Sequence, residues 1–273
     1  MHGSENHQGE GPPAVQPLRG WIWLLAGTGD GPPLATALRR QGWGVRVSVV
    51  NPTALRAYRA QQHLELVAGP LAGVETIAAE LGRRPYAAVV DATHPFAQRI
   101  SADLAQACAE LRQPLLALER AVDPGGGAVG IARLEDLGQQ DLRGERLLLA
   151  IGGRQLATAV AHSPGALHHA RLLPTAVALQ QAIAAGLPAE RLALVQPSRS
   201  GWIEAGLLRH WGITAVLARA GGGYSEAVWQ RLAAQQNLRL LLLQRPAARA
   251  GLPLQALLAR LAAWPAAEDP AFP

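Results

Sequence analysis

The chain reads as an α/β protein of two Rossmann-like units, each a parallel sheet flanked by helices, with a ligand cleft between them. Three observations predict this. Short apolar runs alternate with amphipathic stretches through most of the 273 residues, and strands alternating with helices build parallel sheets covered on both faces. The rhythm breaks at the glycine-rich stretch 121–130 and then restarts. Finally, VVDATHPFA, its helix and PLLALER are echoed by AVLARAGGGYS, its helix and LRLLLLQRP, so that the two halves end strands at Arg120 and Arg245.

Residues 1–19 are polar, rich in Pro and Gly and aperiodic, which predicts a disordered tail. The first unit spans 20–121. WIWLLAG (21–27) is a buried strand ending in glycine, and PPLATALRRQG (32–42) is a helix, because proline fits a first turn whose N–H lacks an intrahelical partner. VRVSVV (45–50) is a strand broken by Asn51-Pro52. LELVAG (64–69), AAVVDAT (87–93) and PLLALER (114–120) are strands, and 73–84 and 97–113 are helices. After a linker, 121–130, the second unit (122–250) repeats the pattern. Its strands are 145–152, one within 166–175 ending at Pro174, 191–198, one in 214–223 running into a glycine turn, and 238–246, with helices following the first four. Residues 251–273 form a terminal amphipathic helix, LQALLARLAAW, and a loose tail.

Composition limits the function. Hydrophobic residues make up 49% of the chain and charged ones 16%, enough to bury sizeable cores. No apolar run approaches the ~18–20 residues of a membrane span, and no secretory leader opens the chain, so a soluble cytoplasmic protein is expected. One cysteine, Cys108, excludes an internal disulfide framework and a cysteine-ligated zinc site, and mid-helix among alanines it is a core residue. All 25 basic residues are arginine. That removes lysine Schiff-base chemistry and the P-loop lysine, and leaves every fixed cation a planar guanidinium. The net charge of +5 is spread along the chain without a nucleic-acid motif, which suits a small polyanionic ligand.

Several turns could carry chemistry. AGTGDGPP (26–33) sets Gly27, Gly29 and Gly31 between the first strand and first helix. It is either a phosphate-binding turn or a plain tight turn, with Asp30 capping the helix. The end of the second strand has no carboxylate for a ribose hydroxyl but has Ser48, Asn51, Arg56 and Arg59, which favours a 2′-phosphate if a dinucleotide binds. VVDATHPFAQRI places Asp91, Thr93 and His94 at a strand's C-terminal end, where polar groups face a cleft or cap a helix. His168 and His169 precede a strand and read as surface residues, and no histidine pair has metal-ligand spacing. Arg171 near Pro174, and Arg219 before three glycines, end two further strands.

Four of these landmarks, in order, carry a resemblance. The chain from Trp21 to Pro246 resembles the precorrin-6A reductase family (CobK/CbiJ) of corrin-ring biosynthesis through AGTGD (26–30), DATHPFA (91–97), Arg171-Leu-Leu-Pro174 and Arg245-Pro246. The resemblance implies reduction of one macrocycle double bond with NADPH, or NADH in its place, giving precorrin-6B or its cobalt form, without metal or flavin. It implies cofactor contacts at Gly27, Thr28, Gly29, Asp30, Ser48, Asp91, Thr93, His94 and Pro95. Substrate contacts fall at Arg171, Gln196, Arg219, Gly221 and Gly222. Arg171 and Arg219 would stabilise charge arriving with hydride, and His94 would be a proton donor or cofactor contact. The partner is a small tetrapyrrole, with transient contacts to neighbouring pathway enzymes, and neither nucleic acid nor membrane. Three departures are visible: Ala26 replaces a glycine, Arg219-Ala220 replaces Lys-Asp, and Gln196-Pro-Ser-Arg199 replaces Gln-Gly-Pro-Phe. The alternatives are a non-catalytic tetrapyrrole- or nucleotide-binding homologue and an NADP-dependent reductase of a related substrate.

Overall fold

The computed structural model describes residues 18–27, 29–121, 127–246 and 250–265. The remainder of the predicted N-terminal tail, the middle of the predicted linker and the last residues lie outside these.

The first unit runs β1 (Trp21–Ala26), α1 (Gly31–Arg40), β2 (Gly44–Val49), β3 (Leu64–Ala68), α2 (Val74–Leu81), β4 (Tyr86–Ala92), α3 (Gln98–Glu110) and β5 (Leu115–Glu119). The second runs β6 (Val129–Ile131), β7 (Arg146–Ala150), α4 (Leu156–Ala161), β8 (Leu167–Leu172), α5 (Ala176–Ala184), β9 (Leu192–Leu194), α6 (Trp202–Trp211), β10 (Ala215–Arg219), α7 (Tyr224–Gln236) and β11 (Arg239–Leu243). β12 (Leu252–Pro253) and α8 (Leu254–Ala262) follow. The sheet orders are β12-β5-β4-β1-β2-β3 and β6-β11-β10-β7-β8-β9, and each pairing described is parallel. Laid side by side, β1 matches β7, β4 matches β10 and β5 matches β11. The echo in the sequence is therefore an equivalence of position in two sheets.

Side-chain alternation explains the layering. On β1, Ile22 and Leu24 meet Leu34 and Leu38 of α1, while Trp23 and Leu25 meet Ile77 of α2 and Leu104 and Cys108 of α3. On β7, Leu147 and Leu149 pack under α4 and α5, and Leu148 packs with Leu208, Trp211 and Trp229 under α6 and α7. Among the described residues no helix is long and apolar enough to cross a membrane.

The structure corrects four expectations. The end of the predicted linker is β6, which pairs with β11 and so belongs to the second sheet. The terminal segment is not a separate appendage: β12 pairs with β5, and Leu257 and Leu261 of α8 are fully buried in the first unit's core. Arg19, placed in the disordered tail, stacks on Trp43 at 4.6 Å and donates to the carbonyls of Ala262 and Trp264. His168 and His169 are buried rather than superficial; His168 meets the Ser163 hydroxyl at 2.9 Å and His169 packs on Trp211. These four share a cause, since each depends on a partner more than a helix length away or on burial that short segments do not advertise.

Because Leu257 fills the first unit's core from the far end of the chain, Leu257→Ala should remove about 2–5 kcal/mol of stability. The check is a denaturant titration followed by tryptophan fluorescence, with the midpoint lowered.

Candidate active site

In an open parallel sheet, ligands bind outside the carboxyl ends of the strands where the strand order reverses. The first sheet reverses between β1 and β4, and the second between β7 and β10. The structure turns these two points toward each other. His94, after β4, lies against Gly221, after β10. Phe96 stacks 5.1 Å from the Arg219 guanidinium and packs on the second unit's core. A Cβ on Gly222, which has φ +66°, would come within 2.5 Å of the Ala121 carbonyl. Gly221 and Gly222, expected as substrate contacts, are glycines because the other unit's chain passes so close.

On the first unit, Arg120 organises the turns. Its side chain is buried, and its Nε pairs with Asp30 at 2.6 Å. Its two remaining nitrogens donate to the carbonyls of Thr93 (3.0 Å) and Ala92 (3.1 Å). The planar fork therefore ties the turn after β1 to the turn after β4. Arg245 of the second unit donates in turn to the Arg120 carbonyl at 3.0 Å. Asp30 occupies the N-cap position of α1 but makes no side-chain cap bond, so the expected capping role passes to an ion pair. That pairing also cancels the repulsion a carboxylate would otherwise direct at an anion in the turn. Asp91 is likewise turned inward: its carboxylate accepts from the Thr93 N–H and hydroxyl (3.0 and 2.7 Å) and from the Ser101 hydroxyl (2.6 Å).

A cavity of about 360 Å³ opens beside these groups, lined by Thr93, His94, Gln98, Ser101, Arg120 and Arg245 among others. His94 lines it together with the carboxylates of Asp91 and Glu119. Burial first, then the neighbouring Arg219 and Arg120, pull the His94 pKa down to about 4, against a smaller upward pull from Asp30. At neutral pH the ring is uncharged. Its Nδ1 accepts the Phe96 N–H at 3.2 Å, so the neutral ring carries its proton on Nε2, the nitrogen facing Gly221. His94 is thus a hydrogen-bond donor into the cleft and not a stored imidazolium. Opposite, Arg219 donates to Gln155 through Nε and Nη2 (3.1 and 2.7 Å). Burial, then Arg154, lower its pKa to about 10, which leaves it cationic at neutral pH.

Other expected site residues are placed differently. Arg171 is buried and pairs with Glu204, itself 1% exposed, at 3.1 Å. Its guanidinium therefore has a carboxylate partner within the protein. Glu204 also accepts the Ser198 N–H at 3.1 Å, and the pair holds the loop after β9. Ser48 is buried and accepts from the Trp23 indole N–H at 2.9 Å. Gln196 is exposed beyond β9, Pro95 lines the cavity, Gly27 is exposed in the first turn, and Thr28 lies outside the described residues. Among the described residues no cluster of His, Cys, Asp or Glu could hold a metal ion. Sequence reasoning missed Arg120 as a site residue, although the echo pairing it with Arg245 was the available signal.

Two outcomes test this geometry. Arg120→Ala should cost about 2–3 kcal/mol in a denaturant titration, limited by the partial exposure of Asp30, and Arg120→Lys should recover only part of it for want of a fork. The His94 pKa lies below the ordinary ~6.5, so between those values the unfolded chain binds more protons than the folded one. Its contribution to stability is therefore lost as pH falls from about 6.5 through about 4, and a ring titration by NMR should show no midpoint for His94 above pH 5.

Known proteins agree with this architecture. The sequence profile of a family described as Precorrin-6x reductase CbiJ/CobK matches residues 21–262. A cobalt-precorrin-6A reductase of Synechocystis sp. is 32% identical over 231 residues, covering 82% of this chain and 88% of the relative. A precorrin-6A reductase of Mycobacterium tuberculosis is 30% identical over 246 residues, covering 89% and 96%. The solved structure of a CobK precorrin-6A reductase superposes with a TM-score of 0.72 at 28% identity, covering 89% of this chain and 96% of that one. With its profile match running from the first strand into the last helix, and two switch points closed on one cleft, the chain belongs to the CbiJ/CobK precorrin-6x reductase family.

Proposed function

We propose that this protein reduces one double bond of precorrin-6A, or of its cobalt-bearing form, to the corresponding 6B macrocycle with NADPH, in the cytoplasm and in passing contact with neighbouring enzymes of the same route. The observation that carries this reading is the meeting of two strand-order switch points, one glycine-turned and one arginine-bearing, around a neutral histidine. The names of the relatives support the substrate class.

The chain's own residues fit a phosphorylated dinucleotide. A Cβ on Gly29 would lie 2.5 Å from Tyr224 Cε1, so a side chain at this position would have to displace the ring. The Asp30 charge is taken up by Arg120. The segment after β2 offers Arg56 and Arg59 and no carboxylate, which favours a 2′-phosphate over a 2′-hydroxyl. Gly27, Thr28 and Gly29 would hold the diphosphate, and bound NADPH supplies the hydride. Around it, the protein's work is positioning and charge. Arg219, cationic at neutral pH, faces the cleft where negative charge accumulates in the macrocycle as hydride arrives. The Nε2–H of His94 donates to the substrate without leaving an imidazolium behind. The carboxylate side chains of the macrocycle suit a cleft whose fixed cations are all arginine, since guanidinium and carboxylate pair through two parallel bonds.

The test is single-turnover absorbance with NADPH and precorrin-6A, with and without cobalt. The expected result is a shift of the macrocycle spectrum coupled to loss of the nicotinamide band. Tight binding of both ligands with no loss of that band would overturn the reading in favour of a binding protein. Arg219→Ala should lower kcat about 10- to 100-fold, with Arg219→Lys retaining most of the rate. Unchanged turnover in His94→Ala would remove that residue from the chemistry.

A further inference from the structure

The first turn of α1 offers an anion few N–H donors beyond that of Gly31. A helix N-terminus that seats a phosphate does so with its first free N–H groups. Here α1 opens Gly31-Pro32-Pro33, and proline has no N–H. The next N–H, that of Leu34, is already donated to the Asp30 carbonyl at 3.1 Å. No acidic or basic side chain stands in the first turn of the helix to compensate.

A cation from the other unit stands over this turn. Arg199, in the loop after β9, donates through Nη2 to the Gly29 carbonyl at 3.0 Å. Its guanidinium lies 4.8 Å from the centre of the Tyr224 ring, whose edge packs on Gly29. The loop that delivers it is fixed from beneath. The buried Arg171–Glu204 pair holds the Ser198 N–H, and the Ser198 hydroxyl accepts the Gly201 N–H at 3.0 Å. Arg199 itself is exposed and donates to a neutral carbonyl. A charged oxygen is about twice as strong an acceptor for the same fork, so an anion entering the turn would take the guanidinium over.

We propose that Arg199 is the cation, supplied by the second unit, that completes an oxyanion site at the first unit's glycine turn, and that the oxyanion is the diphosphate of bound NADPH. This rests on the reductase reading above. The carboxylates of the macrocycle share the chemistry, but Gly29 lies at the first sheet's switch point, where a dinucleotide's diphosphate is held. Arg171 then acts as a positioning residue, through Glu204 and the loop.

The experiment is titration of the full chain with NADPH, followed by nicotinamide fluorescence, with inorganic pyrophosphate as competitor. Arg199→Ala should weaken NADPH and pyrophosphate binding about 10- to 30-fold and flatten the dependence of Kd on salt, and Arg199→Lys should weaken binding about 3-fold. Thermal unfolding of both variants without ligand should match the parent, because the side chain is exposed. Parent-like NADPH affinity in Arg199→Ala overturns the assignment. If NADPH affinity is kept while KM for precorrin-6A rises, the oxyanion is a macrocycle carboxylate and the diphosphate assignment falls. A parent chain that binds no NADPH defeats the reductase reading together with this inference, whereas a parent that binds it and variants that bind equally well defeat the inference alone.

Discussion

The site depends on one buried guanidinium. Arg120 reaches Asp30, the Thr93 carbonyl and the Ala92 carbonyl with three of its nitrogens, and its own carbonyl receives Arg245. Two loops leaving different strands would otherwise choose their conformations independently, and each would lose backbone entropy separately on ordering. A single rigid fork makes them one object. The second unit is then registered on that object through Arg245 and through the close approach of Gly222 to Ala121. Placement of His94 against Gly221, and of Phe96 under Arg219, follows from the same registration.

The sequence made the regular parts of the molecule legible. Strands such as WIWLLA and RLLLA are continuous apolar runs, and the helices between them carry apolar faces, so the two units and their echo are written locally. It was silent on β6 and β12, whose three and two residues have no period of their own. They are strands only because β11 and β5 offer them a ladder. In the site, the turns at 26–33, 91–97 and 219–223 could be located because glycine, proline and polar residues punctuate strand ends. What could not be read was partnership. Asp30 looks like a helix cap until Arg120 arrives from 90 residues away, and Arg199 looks like one surface arginine among many until the second unit docks.

A chain whose cations are all arginine must distinguish them by surroundings, and it does. Arg171 and Arg219 both stand toward the C-terminal ends of strands, yet one is paired with Glu204 within the protein while the other lies between Gln155 and Phe96 and stays cationic at neutral pH. Burying an ion pair adds little net stability, because desolvation offsets the attraction. The Arg171–Glu204 pair is therefore better understood as a geometric device that sets the loop after β9. His94 follows the same logic in reverse: burial first, and then two nearby guanidinium groups, hold it neutral, and its one proton becomes a directed donor.

The exchange of edge strands has a consequence for how the molecule is made. The segment following β5 completes the second sheet as β6, and the segment following β11 completes the first as β12. During synthesis the first unit lacks its outermost strand and α8 until residues 252–262 have been made. Until then β5 presents an unpaired edge, and the core that awaits Leu257 and Leu261 is open. The first sheet therefore stays incomplete while the whole of the second is being made. An unpaired sheet edge invites pairing with other chains, so the interval between the first sheet and its final strand is the stage at which misassembly is favoured.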